Sequence, residues 1–256
     1  VTAGSPALSS FVTVSAGTIS GTSLDVTLPT TKTAGSYGFS LRVKKSTTGC
    51  ESAASSISLA VAKIVTTGTI SAFTTCIGTA SASQSFTVTS SDLTNNLTIT
   101  APSGYEVSRT SSSAGYQDTV ILVQSSGSIA ATAIYVRIKA SYPTTGATSS
   151  SENITLVSSG STTVNVSIPS STINALPTLT VSGSKFYTVV GTNLSLTGSA
   201  TAAASNTWSS SNTAVGTVSS TTTAATFVPV ANGSTDITYK NTLGCTITNT
   251  IIVGPA

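Results

Sequence analysis

The chain has 256 residues, 7% of them charged and 39% hydrophobic, with a net charge of +3 and a mean hydropathy of +0.32. Ordinary soluble domains carry roughly 25% charged residues, and disordered chains are usually polar and charged, so the Ser/Thr richness belongs to the solvent face of strands rather than to a linker. The ten basic residues are scattered, only Lys44 and Lys45 being adjacent, which excludes the clustered stripe that nucleic acid requires.

Residues 1–63 predict four strands, Phe11–Val14, Ser23–Leu28, Ser36–Val43 and Ser56–Val61, with Tyr37, Phe39, Leu41 and Val43 on one apolar face. A domain of ~60 residues buries only about 60% of its chain surface. The segment is therefore expected to be a partial immunoglobulin-like module, completed by upstream chain or by a strand from another molecule.

Lys63–Ile70 reads as a short junction, and residues 64–175 as a seven-stranded β-sandwich. Its predicted strands are Ile70–Thr75, Gln84–Thr89, Leu97–Ala101 with Tyr105–Ser108, Thr119–Val123, Ile134–Lys139, Asn153–Val157 and Val164–Ile168. In Leu97–Ser108, Leu97, Ile99 and Ala101 share one face, Pro102-Ser103-Gly104 breaks the strand, and Tyr105 and Val107 resume the alternation with Glu106 and Ser108 facing out. Ile134, Val136 and Ile138 likewise oppose Tyr135, Arg137 and Lys139.

Asn174-Ala175-Leu176-Pro177 marks the next boundary, because the residue before a proline is held extended. Residues 176–256 predict a third module, with strands near Leu179–Val181, Leu194–Thr197, Thr207–Ser209, Val215–Val218, Thr226–Val230, Asp236–Tyr239 and Thr246–Val253. Trp208, the only tryptophan, reads as the core plug of an immunoglobulin-like sandwich, with sugar stacking as the alternative. The fold class is all-β, built of tandem immunoglobulin-like β-sandwich modules.

No run approaches the ~18 consecutive apolar residues of a membrane span, and VTAGSPALSS lacks the basic start and apolar core of a signal peptide. Direct membrane insertion is not expected, and the chain reads as a mature protein or a fragment of one. Cys50, Cys76 and Cys245 form no C-x-x-C pair, so zinc is unsupported, and an odd count leaves at least one thiol without an intrachain partner. Cys50 and Cys76 lie closest in sequence and are the candidate disulfide, the alternative being free buried cysteines.

The third module's LTGSATAAASNTWSSSNTAVGTVSS and FVPVANGSTDITYKNTLGC resemble the tandem immunoglobulin-like repeats of giant exported cell-surface proteins of Bacteroidota. The middle module's ASQSFTVTSSDLTNNLTITAPSGYEVS and IAATAIYVRIKAS look like a companion repeat, and GSYGFSLRVKKSTTGC is similar to the tail of another. The resemblance implies export by the type IX secretion system and an adhesin or stalk role, in some members in gliding motility. It also implies a cysteine before the G-T/G-S turn paired with a late Gly-Cys. Cys76 holds the first position in the middle module, but Val189 stands there in the third, so on this pattern Cys245 loses its partner. Asp118-Thr119-Val120 resembles the Bacteroidota O-glycosylation acceptor, which would make Thr119 a glycan site.

Catalytic chemistry finds little footing. Histidine is absent, which excludes histidine triads and histidine metal sites, and Asp25, Glu51, Asp92, Glu106, Asp118, Glu152 and Asp236 are scattered singly. Ser182-Gly183-Ser184-Lys185 matches S-x-x-K without its companion motifs and reads as a surface turn. No catalytic, cofactor-binding or metal-ligating residue is assigned, and no enzyme activity or cofactor is expected. The expected function is a structural or adhesive segment of a long extracellular fibre whose partners are neighbouring repeats, other copies of itself, surface glycans or other cell-surface proteins. The alternatives are a self-polymerising filament subunit using strand donation and a carbohydrate- or surface-binding module.

Overall fold

A computed structural model describes residues 35–41, 53, 55–142 and 151–256. The predicted strands Phe11–Val14 and Ser23–Leu28, the side chains of Tyr37 and Phe39, and Cys50 lie outside the described parts. The first described element is an antiparallel pair, β1 (Gly35–Leu41) with β2 (Ser55–Val61).

β3 (Lys63–Thr67) follows β2 after the single residue Ala62. The expected junction is therefore a strand, paired antiparallel with β5 (Gln84–Ser91). It escapes a period-two reading because it lies at a sheet edge with Ile64, Val65 and Thr66 all half-buried. The other strands of this sandwich are β6 (Leu97–Thr100), β7 (Tyr105–Ser108), β8 (Thr119–Leu122), β9 (Ile129–Ile138), β10 (Glu152–Val157) and β11 (Val164–Ile168). They form one sheet in the order β3-β5-β9-β7 and a second in the order β11-β10-β6-β8. Two three-residue strands, β4 (Thr74–Cys76) and β12 (Thr172–Asn174), pair in parallel beside them.

Alternation decides what is buried. Leu97, Ile99, Ile134, Val136, Ile138, Ile154 and Leu156 are fully enclosed between the sheets, whereas Tyr135, Arg137 and Lys139 turn out of the core. The Pro102-Ser103-Gly104 break is a change of sheet: β6 belongs to one layer and β7 to the other. Gly104 makes the turn at φ +84°, and a Cβ there would fall on the Tyr142 ring, so both conformation and space require glycine. From β5 to β10 every connection passes from one sheet to the other.

The second sandwich is built from β13 (Leu179–Val181), β14 (Tyr187–Val189), β15 (Leu194–Gly198), β16 (Trp208–Ser210), β17 (Gly216–Val218), β18 (Ala224–Pro229), β19 (Gly233–Lys240) and β20 (Thr246–Gly254). Its sheets run β13-β15-β18-β17 and β14-β20-β19-β16, with β14 parallel to β20 and the other neighbours antiparallel. This is the strand order of an immunoglobulin-type sandwich, with tryptophan on the strand where such domains bury one. Ser182-Gly183-Ser184 forms a single 3-10 turn between β13 and β14. The described apolar side chains make two separate cores, one from Ile70 to Ile173 and one from Leu179 to Val253.

Candidate functional site: a bridged junction and a braced sheet face

The two sandwiches are covalently joined. Cys76, the last residue of β4, is bonded to Cys245, which precedes β20, across 169 residues of sequence and a Cα separation of 5.6 Å. Cys76 is thus not bridged to Cys50, and Cys245, expected to lack a partner, has one. The physical reason lies in the topology. The parallel pairing of β4 with β12 sets Cys76 opposite Asn174, at the point where the chain leaves the first sandwich, and Cys245 sits in the turn entering the last strand of the second. Proximity in sequence carries no information about that encounter.

Backbone and side-chain amides hold both halves of the bridge in place. The Asn174 carbonyl accepts from the Ile77 N–H at 3.0 Å. Across the junction, buried Asn241 Oδ1 accepts from the N–H groups of Leu243 at 3.0 Å and Cys245 at 2.9 Å, while Asn241 N–H donates to the Cys245 carbonyl at 3.0 Å. Asn241 therefore folds the 241–245 turn around itself, which presents the sulfur in one orientation. A loop of mixed polar residues gives no hydrophobic pattern from which this could be read.

The second arrangement lies on the outer face of the β3-β5-β9-β7 sheet. Glu106 and Arg137 are cross-strand neighbours on β7 and β9, with Arg137 Nε donating to Glu106 Oε1 at 2.7 Å. The guanidinium carbon stands 3.8 Å from the centroid of the Tyr116 ring, a cation–π contact. One pleat along, Lys139 Nζ pairs with Asp118 Oδ1 at 2.5 Å. Tyr116 and Asp118 belong to the loop from β7 to β8, so these contacts pin that loop to the sheet. Each of these two carboxylates meets a cation rather than another acid, which is bracing geometry and not that of a general acid and base.

Ser108 organises the same loop from below. Expected to face solvent, it is instead completely buried: its Oγ donates to the Ala114 carbonyl at 2.6 Å and accepts from the Thr110 N–H at 3.1 Å. A hydroxyl can satisfy a loop's backbone inside a protein where an apolar residue cannot. Thr119 lies at the start of β8, half-buried, with Oγ1 3.5 Å from Thr100 Oγ1, and follows Asp118, whose side chain is largely exposed. Trp208 is 6% exposed and its Nε1 donates to the Thr222 carbonyl at 2.9 Å, which leaves no ring face for a sugar.

Among the described residues no three His, Cys, Asp or Glu side chains converge on a point that could hold a metal ion, and no helix is long and apolar enough to cross a membrane.

No protein-family model and no curated protein matches the chain by sequence. Among solved structures, it is similar to a 282-residue C-terminal fragment of intimin in complex with the intimin-binding domain of its translocated receptor, at 16% identity and a TM-score of 0.34. That match covers 74% of this chain and 62% of the intimin chain, so the chain spans less than two thirds of that structure. It is also similar to a protein of unknown function from Porphyromonas gingivalis W83, at 9% identity, a TM-score of 0.27, and coverage of 75% and 98%. The adhesin InvE of Yersinia pseudotuberculosis gives 13% identity, a TM-score of 0.23, and coverage of 75% and 58%. At such scores the likeness carries no argument about what this chain does, and the fold assignment rests on its own strand order.

Proposed function

We propose that the chain is a spacer segment of a long extracellular surface fibre, of the kind that exported Bacteroidota adhesins use, with residues 1–63, 64–175 and 176–256 as successive modules. The observation that carries this reading is the Cys76–Cys245 bond between the two sandwiches. Disulfides persist in oxidising compartments, and a bond placed between modules rather than inside one holds their relative orientation instead of stabilising a single core. At the other end Ala62 alone separates β2 from β3, so neither junction offers the flexible linker that independent domains use. Export by the type IX route and attachment to the cell surface complete the proposal.

The reading is tested on intact cells that make the parent protein. Brief protease treatment from outside should release fragments containing this chain, and alkylation before lysis should leave Cys76 and Cys245 unmodified because they are oxidised. Retention of the chain inside protease-treated cells, with both thiols alkylated, would overturn it.

A further inference from the structure

We propose that the free edge of β8 is a docking site for an extended peptide of another protein, with apolar side chains at alternate positions and a carboxylate among them. Among the described residues β8 is the terminal strand of its sheet. The Ala101 N–H donates to the Asp118 carbonyl at 2.9 Å and the Gln124 N–H to Asn96 Oδ1 at 3.3 Å, so the even-numbered residues of this stretch direct their backbone inward, toward β6 and the residues flanking it. Antiparallel strands alternate, and the N–H and C=O groups of Ile121 and Val123 therefore point to the open edge. Closer to the loop the edge is already filled, since Gln117 exchanges hydrogen bonds of 2.8 and 2.9 Å with Val107. Among the described residues the vacant stretch starts at Thr119.

The same two residues carry exposed apolar side chains. Ile121 is 51% exposed and Val123, at 70%, is the most exposed large apolar residue among those described. Edge strands are ordinarily guarded by charge, proline or shortness, and here the outward positions are isoleucine and valine. On the outer face of the sheet the register sets Val157, 43% exposed, beside Thr98, and Thr98 beside Ile121. The row Val157, Thr98, Ile121 thus runs across the sheet and ends on an exposed isoleucine at the edge. A strand added to β8 would continue it with one apolar side chain opposite Ile121 and another next to Val123.

Arg109 supplies the charge. It is exposed, has no ion pair or hydrogen bond among the described residues, and borders two grooves along β8 of about 500 and 610 Å³. The acids of the neighbouring loop and strand are engaged, Asp118 by Lys139 and Glu106 by Arg137, so the matching carboxylate comes from the occupant. A second copy of the chain pairing through its own β8 would bring another Arg109 to the interface instead, which is why the occupant is a different polypeptide.

The test is fluorescence anisotropy of the full chain with a labelled pool of hexapeptides alternating Val or Ile with Thr and one Glu, against the same pool with Lys replacing Glu. Saturable binding that favours the Glu pool is expected. Ile121→Pro removes an N–H that faces away from β6, and should weaken binding at least tenfold while the β6 pairing is kept. Val123→Lys should do the same without any backbone change, and Arg109→Glu should reverse the preference between the pools. Absence of saturable binding, or binding unchanged by both Ile121→Pro and Val123→Lys in variants that melt like the parent, would overturn the proposal. So would a dimer in sedimentation velocity that Ile121→Pro dissolves, since the edge would then belong to a second copy.

Discussion

Trp208 and Tyr239 are paired across β16 and β19, their ring centroids 4.7 Å apart and their planes tilted by 50°. Each ring lies in the core and passes its polar group to a backbone carbonyl, the indole N–H to Thr222 and the phenol O–H to Ala200 at 3.1 Å. The pair therefore joins the two β-layers and two loops at one point. Trp208→Ala is expected to cost about 3–5 kcal/mol, the range for large buried aromatics, read by chemical denaturation of the second sandwich. A loss near zero would mean that the ring contributes nothing to the core.

Burial pushes the Tyr239 phenol above its ordinary value of 10.0. In the unfolded chain the phenol gives up its proton first as pH rises, so between the two values the native state holds more protons and stability falls with pH. The contribution is intact below about pH 10, the reference value for tyrosine, and is lost as pH climbs through the folded value. Tyr239→Phe should therefore lose stability less steeply than the parent above that pH. Parallel alkaline unfolding curves for the two proteins would refute the assignment.

Ser108→Ala takes the buried hydroxyl away from the Ala114 carbonyl and the Thr110 N–H, which belong to exposed residues of the loop. A cost of about 0.5–1.5 kcal/mol is expected, the net worth of a hydrogen bond whose remaining partners lie in an exposed loop. Hydrogen exchange should rise specifically in residues 109–118. Uniform exchange across the sandwich would show that the loop does not depend on this hydroxyl.

Cys245→Ser cuts the bond between the sandwiches and leaves each core untouched. Small-angle scattering should broaden toward a range of inter-module angles, and circular dichroism of the strands should stay as in the parent. An unchanged scattering profile would show that other contacts already hold the angle.

Strands that alternate were legible, short ones included. Tyr105–Ser108, Val164–Ile168 and Leu179–Val181 are found at their predicted limits, and the alternation predicted over Ile134–Lys139 reappears in β9 as far as Ile138. Apart from β3, the missed elements share one reason. β12 and β14 are three residues long and β4 overlaps the end of a longer predicted strand; each takes part in a parallel pairing of elements far apart in sequence, which no local pattern announces. The bond from Cys76 to Cys245 depends on one of these pairings, so it was hidden with them. Gly198 was equally silent: a Cβ there would come within 2.5 Å of the Tyr239 ring, a constraint that exists only once β15 is packed against β19.

The crossing of every connection between β5 and β10 fixes the order in which this sandwich can assemble. A hairpin can close on itself as soon as its two strands exist, as β17 with β18 and β19 with β20 do in the second sandwich. In the first, β6 must wait for β8 and β7 for β9, so from β5 to β10 no strand pairs with its immediate neighbour in the chain, and only β10 with β11 closes as such a hairpin. Loop closure is paid before any pairing rewards it, which slows folding and makes it concerted. A chain that threads a membrane pore or a ribosome exit therefore leaves β6 unpaired until β8 has emerged and β7 until β9 has, while the following sandwich begins to form as each hairpin appears.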